Sequence, residues 1–152
     1  MNQQQDPGAL ARAIIDSNLY MVLGTADEAG RPWVSPVFYA SAEYREFFWI
    51  SDPEATHSRN LANRPEISIV IFDSQVPANT GQGVYMSALA DEPRGADFDR
   101  GLETFSRRSE ESGAGDLKPE DVRPPARHLL YRATATEHSV LDASDRRIKA
   151  VP

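Results

Sequence analysis

The amino-acid sequence predicts one mainly β domain, in which six short strands form an antiparallel sheet and three helices lie between them. Two observations lead to this prediction. Six short runs of apolar or alternating residues are separated by turn-forming residues, a pattern that is typical of strands. Neighbouring runs follow one another closely, and sheets of many short strands tend to close into barrels. The length of 152 residues fits a single domain, which we predict over residues 1–152.

The chain begins with a predicted helix and hairpin. We expect a helix over Pro7–Ser17, because Asp6 can cap it and proline suits the first helical turn. A strand over Leu19–Ala26 and a glycine-containing turn follow, and a second strand extends over Trp33–Ala40. Pro36 removes one hydrogen-bond donor from that strand, so it indicates an edge strand or a bulge.

The middle of the chain predicts a buried strand that leads into a helix. Phe47–Ser51 is aromatic on both faces, which indicates burial on both faces. A helix over about Glu54–Asn63 follows, and Pro65 ends it. Two starts are compatible with the sequence: Asp52–Pro53 has the cap-then-proline pattern, and Thr56 would cap a later start.

Two strands and a charged helix come next. The strands are predicted over Ile67–Phe72 and Val84–Ala90, with a polar loop over residues 73–82 between them. The helix is predicted over Ala96–Glu111. Residues 112–125 are rich in glycine, proline and charge, so we expect a mobile surface loop there.

The remaining parts are the last strand and the two termini. We predict a strand over His128–His138 that continues as far as Leu141 in the longer alternative. Arg146–Pro152 is either a short strand or a tail. The polar residues 1–6 predict a frayed N-terminal tail.

Charge and composition exclude several classes of function. The net charge of −7 repels nucleic-acid phosphates, so we expect no nucleic-acid partner. The absence of cysteine excludes disulfides, thiolate metal sites and cysteine nucleophiles. The three histidines are far apart in the sequence, so we predict no metal site. No signal peptide and no apolar run of about 20 residues is present, which predicts a cytoplasmic protein without membrane partners.

Three segments together resemble a known family. They are Gly30–Val37, then Phe48–Ser51 followed by Thr56–Ser68, then Gln82–Ala88. In this order and spacing they are similar to the pyridoxamine 5'-phosphate oxidase-like flavin-binding split-barrel superfamily. The resemblance implies a six-stranded antiparallel split barrel that forms a homodimer, with two FMN molecules in the clefts between subunits. Some relatives bind the deazaflavin F420 instead, and others bind heme or no known cofactor.

The resemblance also implies an anchor for the cofactor phosphate. It would consist of Thr56, His57 and Arg59 near the start of the central helix, with Ser51 helping from the preceding strand. Phosphates bind readily where free N–H groups meet the positive end of a helix dipole. The alternative is that Thr56 is an ordinary helix cap and that His57 and Arg59 lie on a solvated face.

Further cofactor contacts follow from the same resemblance. The residues concerned are Ser35, Pro36, Val37, Trp49, Ile50 and Gln82, the last of them offered by the partner subunit. Each has a simpler alternative. Pro36 marks an edge strand, Trp49 is a core anchor, and Gln82 is a loop amide in solvent.

The sequence departs from the family pattern in three places. Ser35 and Ala40 stand where pyridoxamine phosphate oxidase carries a basic pair, and His57 stands where the family carries a lysine or arginine. The C-terminal Asp145–Pro152 does not clearly match the substrate-binding motif of that enzyme. Asp52 and Glu54 place carboxylates near the implied phosphate, which is unfavourable.

The function that we predict is FMN-dependent oxidation or reduction of a small-molecule substrate. A bound flavin carries the hydride chemistry, so no catalytic side chain is assigned. The alternative is a non-catalytic protein that binds or senses FMN or F420. A homodimer is expected in either case, because a split barrel leaves an open seam and apolar strand edges such as Ile67–Phe72 invite pairing or cover.

Overall fold

The computed structural model describes residues 5–152, and residues 1–4 of the expected N-terminal tail lie outside the described residues. The α-helices are α1 (Pro7–Ser17), α2 (Thr56–Asn63) and α3 (Ala96–Glu111). The strands are β1 (Tyr20–Ala26), β2 (Pro32–Phe38), β3 (Ala40–Ala42), β4 (Glu46–Ser51), β5 (Glu66–Phe72), β6 (Gly83–Asp91), β7 (Leu129–Leu141) and β8 (Arg147–Ala150). A short 3-10 helix spans Pro119–Asp121.

All eight strands belong to one curled antiparallel sheet, which confirms the mainly β split-barrel prediction. The order is β2-β1-β5-β6-β7-β4-β3, and β8 pairs with the far end of β7. The described residues form eight strands, two more than the six that the sequence predicts. The predicted second strand divides at Tyr39, whose buried phenol donates to the Ile15 carbonyl at 2.6 Å, and Ala40 then begins β3 beside β4.

Two expectations about sheet edges have opposite outcomes. Pro36 does lie on an edge strand, because β2 ends the strand order and pairs with β1 alone. The expectation that Ile67–Phe72 offers an open edge is wrong. β5 lies between β1 and β6 and has partners on both sides.

The main hydrophobic core fills the interior of the barrel. In β5 and β6 buried residues alternate with more exposed ones, so that Ile67, Ile69, Met86 and Ala88 face inward. Each fully buried side chain of this size contributes roughly 1.5–3 kcal/mol. The alternation leaves the other face of these strands outside the barrel.

A second core lies under α3. Phe48 faces this core, whereas Phe47 and Trp49 face the barrel interior, so β4 is buried on both faces as predicted. Phe98, Leu102 and Phe105 reach it from α3. The helix is thereby held against the strand that leads into the candidate site.

The segment 112–125 is attached to this second core. Val122 is buried in it, and the Val122 carbonyl accepts a hydrogen bond from the Leu130 N–H at 3.2 Å. The Leu117 N–H donates to the Ser106 hydroxyl of α3 at 2.9 Å. Mobility of this loop stays a prediction, but the loop carries a side chain of the core. Within residues 5–152, no helix is long and apolar enough to cross a membrane.

Candidate functional site

Helix α2 lies with one face toward the barrel. His57, Asn60 and Leu61 are buried at the spacing of one helical face, and Thr56 and Arg59 are exposed. The Asn60 amide donates to the Thr25 hydroxyl of β1 at 3.0 Å. This contact attaches the middle of α2 to the sheet and fixes which residues of its first turn point inward.

The residues before α2 decide where the helix begins. The Asp52 carboxylate accepts the Glu54 N–H at 2.8 Å, and the Asp52 carbonyl accepts the Ala55 N–H at 3.0 Å. These two bonds form a turn, so the helix starts at Thr56, two residues after the predicted Glu54. Thr56 is therefore the first helical residue and not the cap.

The start of α2 is open to an anion. The residue at the cap position is Ala55, whose side chain cannot accept a hydrogen bond, and no other side chain caps the helix. Among residues 5–152, the N–H groups of Thr56, His57 and Ser58 have no acceptor. Three free N–H groups at the positive end of a helix dipole are suited to a phosphate.

Ser51 and His57 form the central contact of the site. The His57 Nε2 lies 2.8 Å from the Ser51 Oγ, and each residue is 8% exposed. Burial lowers the pKa of His57, so its imidazole is neutral at pH 7. The contact connects the last residue of β4 to the first turn of α2.

Charges near the helix start are paired with one another. Arg59, an expected phosphate anchor, is bonded to the Glu54 carboxylate. Arg127 is 3.3 Å from the carboxylate of Asp52. The two carboxylates that the sequence places near the phosphate thus each have a guanidinium partner, and the net charge of these four side chains is close to zero.

Trp49 and Ile50 have different surroundings from Ser51. The Trp49 indole is fully buried and stacks on Tyr131, with the ring centres 5.7 Å apart and an angle of 17° between the planes. This favours its role as a core anchor. Ile50 packs with the second core under α3, on the opposite face of β4 from Ser51. Successive strand residues point to opposite faces, so Ile50 and Ser51 lie on different faces of β4. A cofactor contact of Ile50 stays a prediction.

The remaining expected contacts are dispersed. Ser35 is half-buried and Pro36 is exposed, whereas Val37 belongs to the barrel core. The Gln82 amide makes two hydrogen bonds with the backbone of Leu141, donating to its carbonyl at 2.9 Å and accepting its N–H at 3.3 Å. Gln82 thus joins the start of β6 to the end of β7, a role that the sequence analysis missed.

The outer face of the sheet carries a groove of about 310 Å³ that the sequence analysis also missed. We call it the outer-face groove. Its lining includes Val22, Gly24, Val34, Ser68, Val70 and Tyr85. These residues are the outward positions of the alternating strands, so the period-two pattern was the signal that could have identified them. Exposed Tyr20 and Trp33 lie on the same two strands, β1 and β2.

Similarity to known proteins extends over nearly the whole chain. The family model described as Pyridoxamine 5'-phosphate oxidase matches residues 9–139. No curated protein sequence matches the chain significantly.

Solved structures share the fold at low sequence identity. A heme-binding protein from Mycobacterium smegmatis has a TM-score of 0.73 at 19% identity, over 91% of this chain and 55% of that chain. This chain therefore spans about half the length of that protein. A heme storage protein from Vibrio cholerae has a TM-score of 0.67 at 18% identity, over 91% of this chain and 95% of that one. An FAD-binding protein from Mesorhizobium loti has a TM-score of 0.63 at 16% identity, over 87% of this chain and 91% of that one.

Proposed function

Because the chain belongs to the pyridoxamine 5'-phosphate oxidase family, we propose that it binds FMN in a cleft completed by a second copy and uses it to oxidise or reduce a small molecule. The observation that carries this proposal is the open start of α2. Its free N–H groups, the Thr56 side chain and the nearby Ser51 hydroxyl form a donor set for a phosphate.

The donor set suits the chemistry of a phosphate monoester. Backbone N–H groups and hydroxyls are suitable donors, and the Asp52 and Glu54 carboxylates are compensated by Arg127 and Arg59. The fit is therefore acceptable, although the site lacks a permanently free cation among the described residues. Bound FMN would supply hydride or single-electron transfer through its ring.

The outer-face groove supports the second part of the proposal, a homodimer. Its walls are mainly apolar or small, and Val34 is 68% exposed. Apolar surface of this kind is stabilised when another protein surface covers it.

A second candidate function is a non-catalytic cofactor-binding or sensor protein. Two observations favour it. Ser35 of β2 and Ala40 of β3 stand where the family pattern has a basic pair. Burial lowers the pKa of His57 and so favours its neutral form. Its cofactor would be a flavin, F420 or heme, since relatives with this fold include heme-binding and FAD-binding proteins.

Purification and titration distinguish these functions. The purified protein should be yellow and should release FMN on denaturation, as identified by mass spectrometry. The cofactor-free protein should bind FMN more tightly than riboflavin, and should bind F420 and heme weakly. Turnover with NADH or NADPH would support an oxidoreductase. Tight heme binding without flavin binding would contradict the proposal.

A further inference from the structure

We infer that His57 acts on the cofactor phosphate through Ser51: His57 donates its Nε2–H to the Ser51 Oγ and thereby directs the Ser51 hydroxyl hydrogen toward the anion at the start of α2. This inference rests on the proposed function. It makes His57 a positioning residue that sets the donor direction of Ser51, and not a direct phosphate ligand.

The geometry leaves two arrangements of the shared hydrogen. The His57 Nε2 and the Ser51 Oγ are 2.8 Å apart. Either Ser51 donates to an unprotonated Nε2, or a protonated Nε2 donates to Ser51. In the first arrangement the Ser51 hydroxyl hydrogen is bonded to His57 and cannot bond an anion. In the second it is free to bond an anion, so an anion beside Ser51 selects the second arrangement.

The burial of His57 prevents it from replacing a lysine directly. It is 8% exposed, and its Nε2 is already engaged by the Ser51 hydroxyl. The nearest basic side chain on the helix, Arg59, is bonded to Glu54. The hydroxyl of Ser51 and the backbone donors therefore carry the contact, and His57 determines whether the hydroxyl is available.

Protonation of His57 strengthens this arrangement. An imidazolium donates from both nitrogens and cannot accept, so Ser51 must then direct its hydrogen elsewhere. The imidazolium also adds a positive charge near the phosphate. FMN affinity should consequently rise as the pH falls through the pKa of His57.

Other charges around His57 must be considered in a pH experiment. On the surrounding elements they are Asp27 and Arg31 after β1, Asp52 and Glu54 before α2, Arg59 and Arg64 on or after α2, Asp91 and Glu92 at the end of β6, and Arg127, His128 and Tyr131 around the start of β7. Burial, and none of these charges, lowers the pKa of His57. A variant without the imidazole but with all of these groups is therefore the proper reference.

The test compares FMN and riboflavin affinities of four proteins between pH 4.5 and pH 8.5, a range of about two units on either side of the ordinary histidine pKa of about 6.5. They are the wild type, Ser51→Ala, His57→Leu and His57→Gln. Glutamine retains an N–H donor at about the distance of Nε2 but does not titrate. Changes of the phosphate charge itself, whose second pKa is about 6, appear in every variant.

The inference predicts a specific pattern. Ser51→Ala and His57→Leu should each weaken FMN binding roughly ten- to a hundredfold, the value of one hydrogen bond to a charged group, and leave riboflavin binding unchanged. His57→Gln should keep the wild-type affinity at pH 8.5 but lack the gain at low pH. Ser51→Ala combined with His57→Leu should be no weaker than either alone.

Three outcomes separate the inference from the proposed function. If the wild type binds no FMN, the proposed function fails. If it binds FMN more tightly than riboflavin but His57→Gln has the same pH profile, only the inference is overturned. Equal losses of FMN and riboflavin affinity in His57→Leu, with a lowered Tm, would assign His57 a purely structural role and also overturn it.

Discussion

The ring of Phe48 occupies the space in which a side chain at Gly101 would begin. A Cβ built on Gly101 would lie 2.5 Å from the Phe48 Cε1 and 2.8 Å from its Cδ1. Phe48 is fully buried between β4 and α3, so its ring has little freedom to move. The missing side chain at position 101 therefore sets how closely α3 approaches the strand that ends in Ser51.

We predict that Gly101→Ala destabilises the protein in spite of its better helix propensity. Alanine gains about 1 kcal/mol as a helix former, but overpacking of a filled core costs typically 1–3 kcal/mol and more where the ring cannot move. Because the buried Phe48 ring cannot move away, the overpacking cost should be at the upper end of this range. The expected net loss is therefore about 1–2 kcal/mol in the free energy of unfolding, measured by urea denaturation.

The control for this prediction shortens the opposing ring. In a Phe48→Leu background the same Gly101→Ala change should cost less, because the atoms nearest the new Cβ are absent. Equal costs in the two backgrounds would show that the Phe48 contact does not determine the effect.

The fold could be predicted largely from local patterns, and its exceptions have identifiable causes. The bounds of α3 follow from an amphipathic run that stops before a glycine-rich segment. The division of the second strand at Tyr39 depends on a hydrogen bond to Ile15, which is distant in the sequence. Helix α2 starts late because Asp52 forms a turn before it. Its cap position is Ala55, so neither of the two caps that the sequence left open, Asp52 or Thr56, begins the helix.

A second prediction concerns the loop at residues 112–125. Val122→Ala should lower the free energy of unfolding by roughly 1–2 kcal/mol, because it removes two buried carbon groups at about 0.8 kcal/mol each and leaves a cavity. Exposed Glu120→Ala in the same loop should change it by less than about 0.5 kcal/mol. A neutral Val122→Ala would indicate that the whole segment is free of the core.

A third prediction concerns acid stability. The Arg132 guanidinium contacts Asp91 at 2.7 Å, Asp97 at 3.2 Å and Glu46 at 3.3 Å. Hydrogen bonds with Arg100 and Arg132 hold the pKa of Glu46 and of Asp97 below their ordinary values. Carboxylates with lowered folded-state pKa values stabilise the protein above their ordinary pKa and lose this contribution as the pH falls through the folded value.

The variant Arg132→Met should therefore be less stable at pH 7, by about 1–2 kcal/mol after allowance for exposed partners. When the pH falls below the ordinary glutamate pKa of 4.5, the free energy of unfolding should decrease less in this variant than in the wild type. Chemical denaturation at several pH values measures both effects. Arg107→Met, in an exposed pair with Glu103, is the control and should have little effect on either.

The candidate site was less predictable than the fold. The sequence identified Ser51 and His57, and the structure brings them together. It grouped Ile50 with them, although neighbouring residues of a strand face opposite sides. Gln82 is engaged by Leu141, 59 positions away in the sequence, which no local pattern indicates. Contacts of this range depend on the pairing of β6 with β7, two strands that are distant in the sequence.

The last prediction tests the cofactor cleft and the homodimer together. Val34 lies on the edge strand β2, lines the outer-face groove and is 68% exposed, so Val34→Glu should fold normally. If a second copy covers this face, the introduced carboxylate would be buried against apolar surface, and the protein should become monomeric in sedimentation experiments. FMN affinity should fall at least tenfold, since the partner's part of the cleft is lost (about 1.4 kcal/mol or more).

Val151→Glu, at a residue that is 74% exposed and does not line the groove, is the matched control and should remain dimeric with unchanged affinity. A dimeric Val34→Glu variant would place the subunit contact elsewhere, and a monomeric variant that keeps its FMN would mean that one subunit holds the cofactor alone.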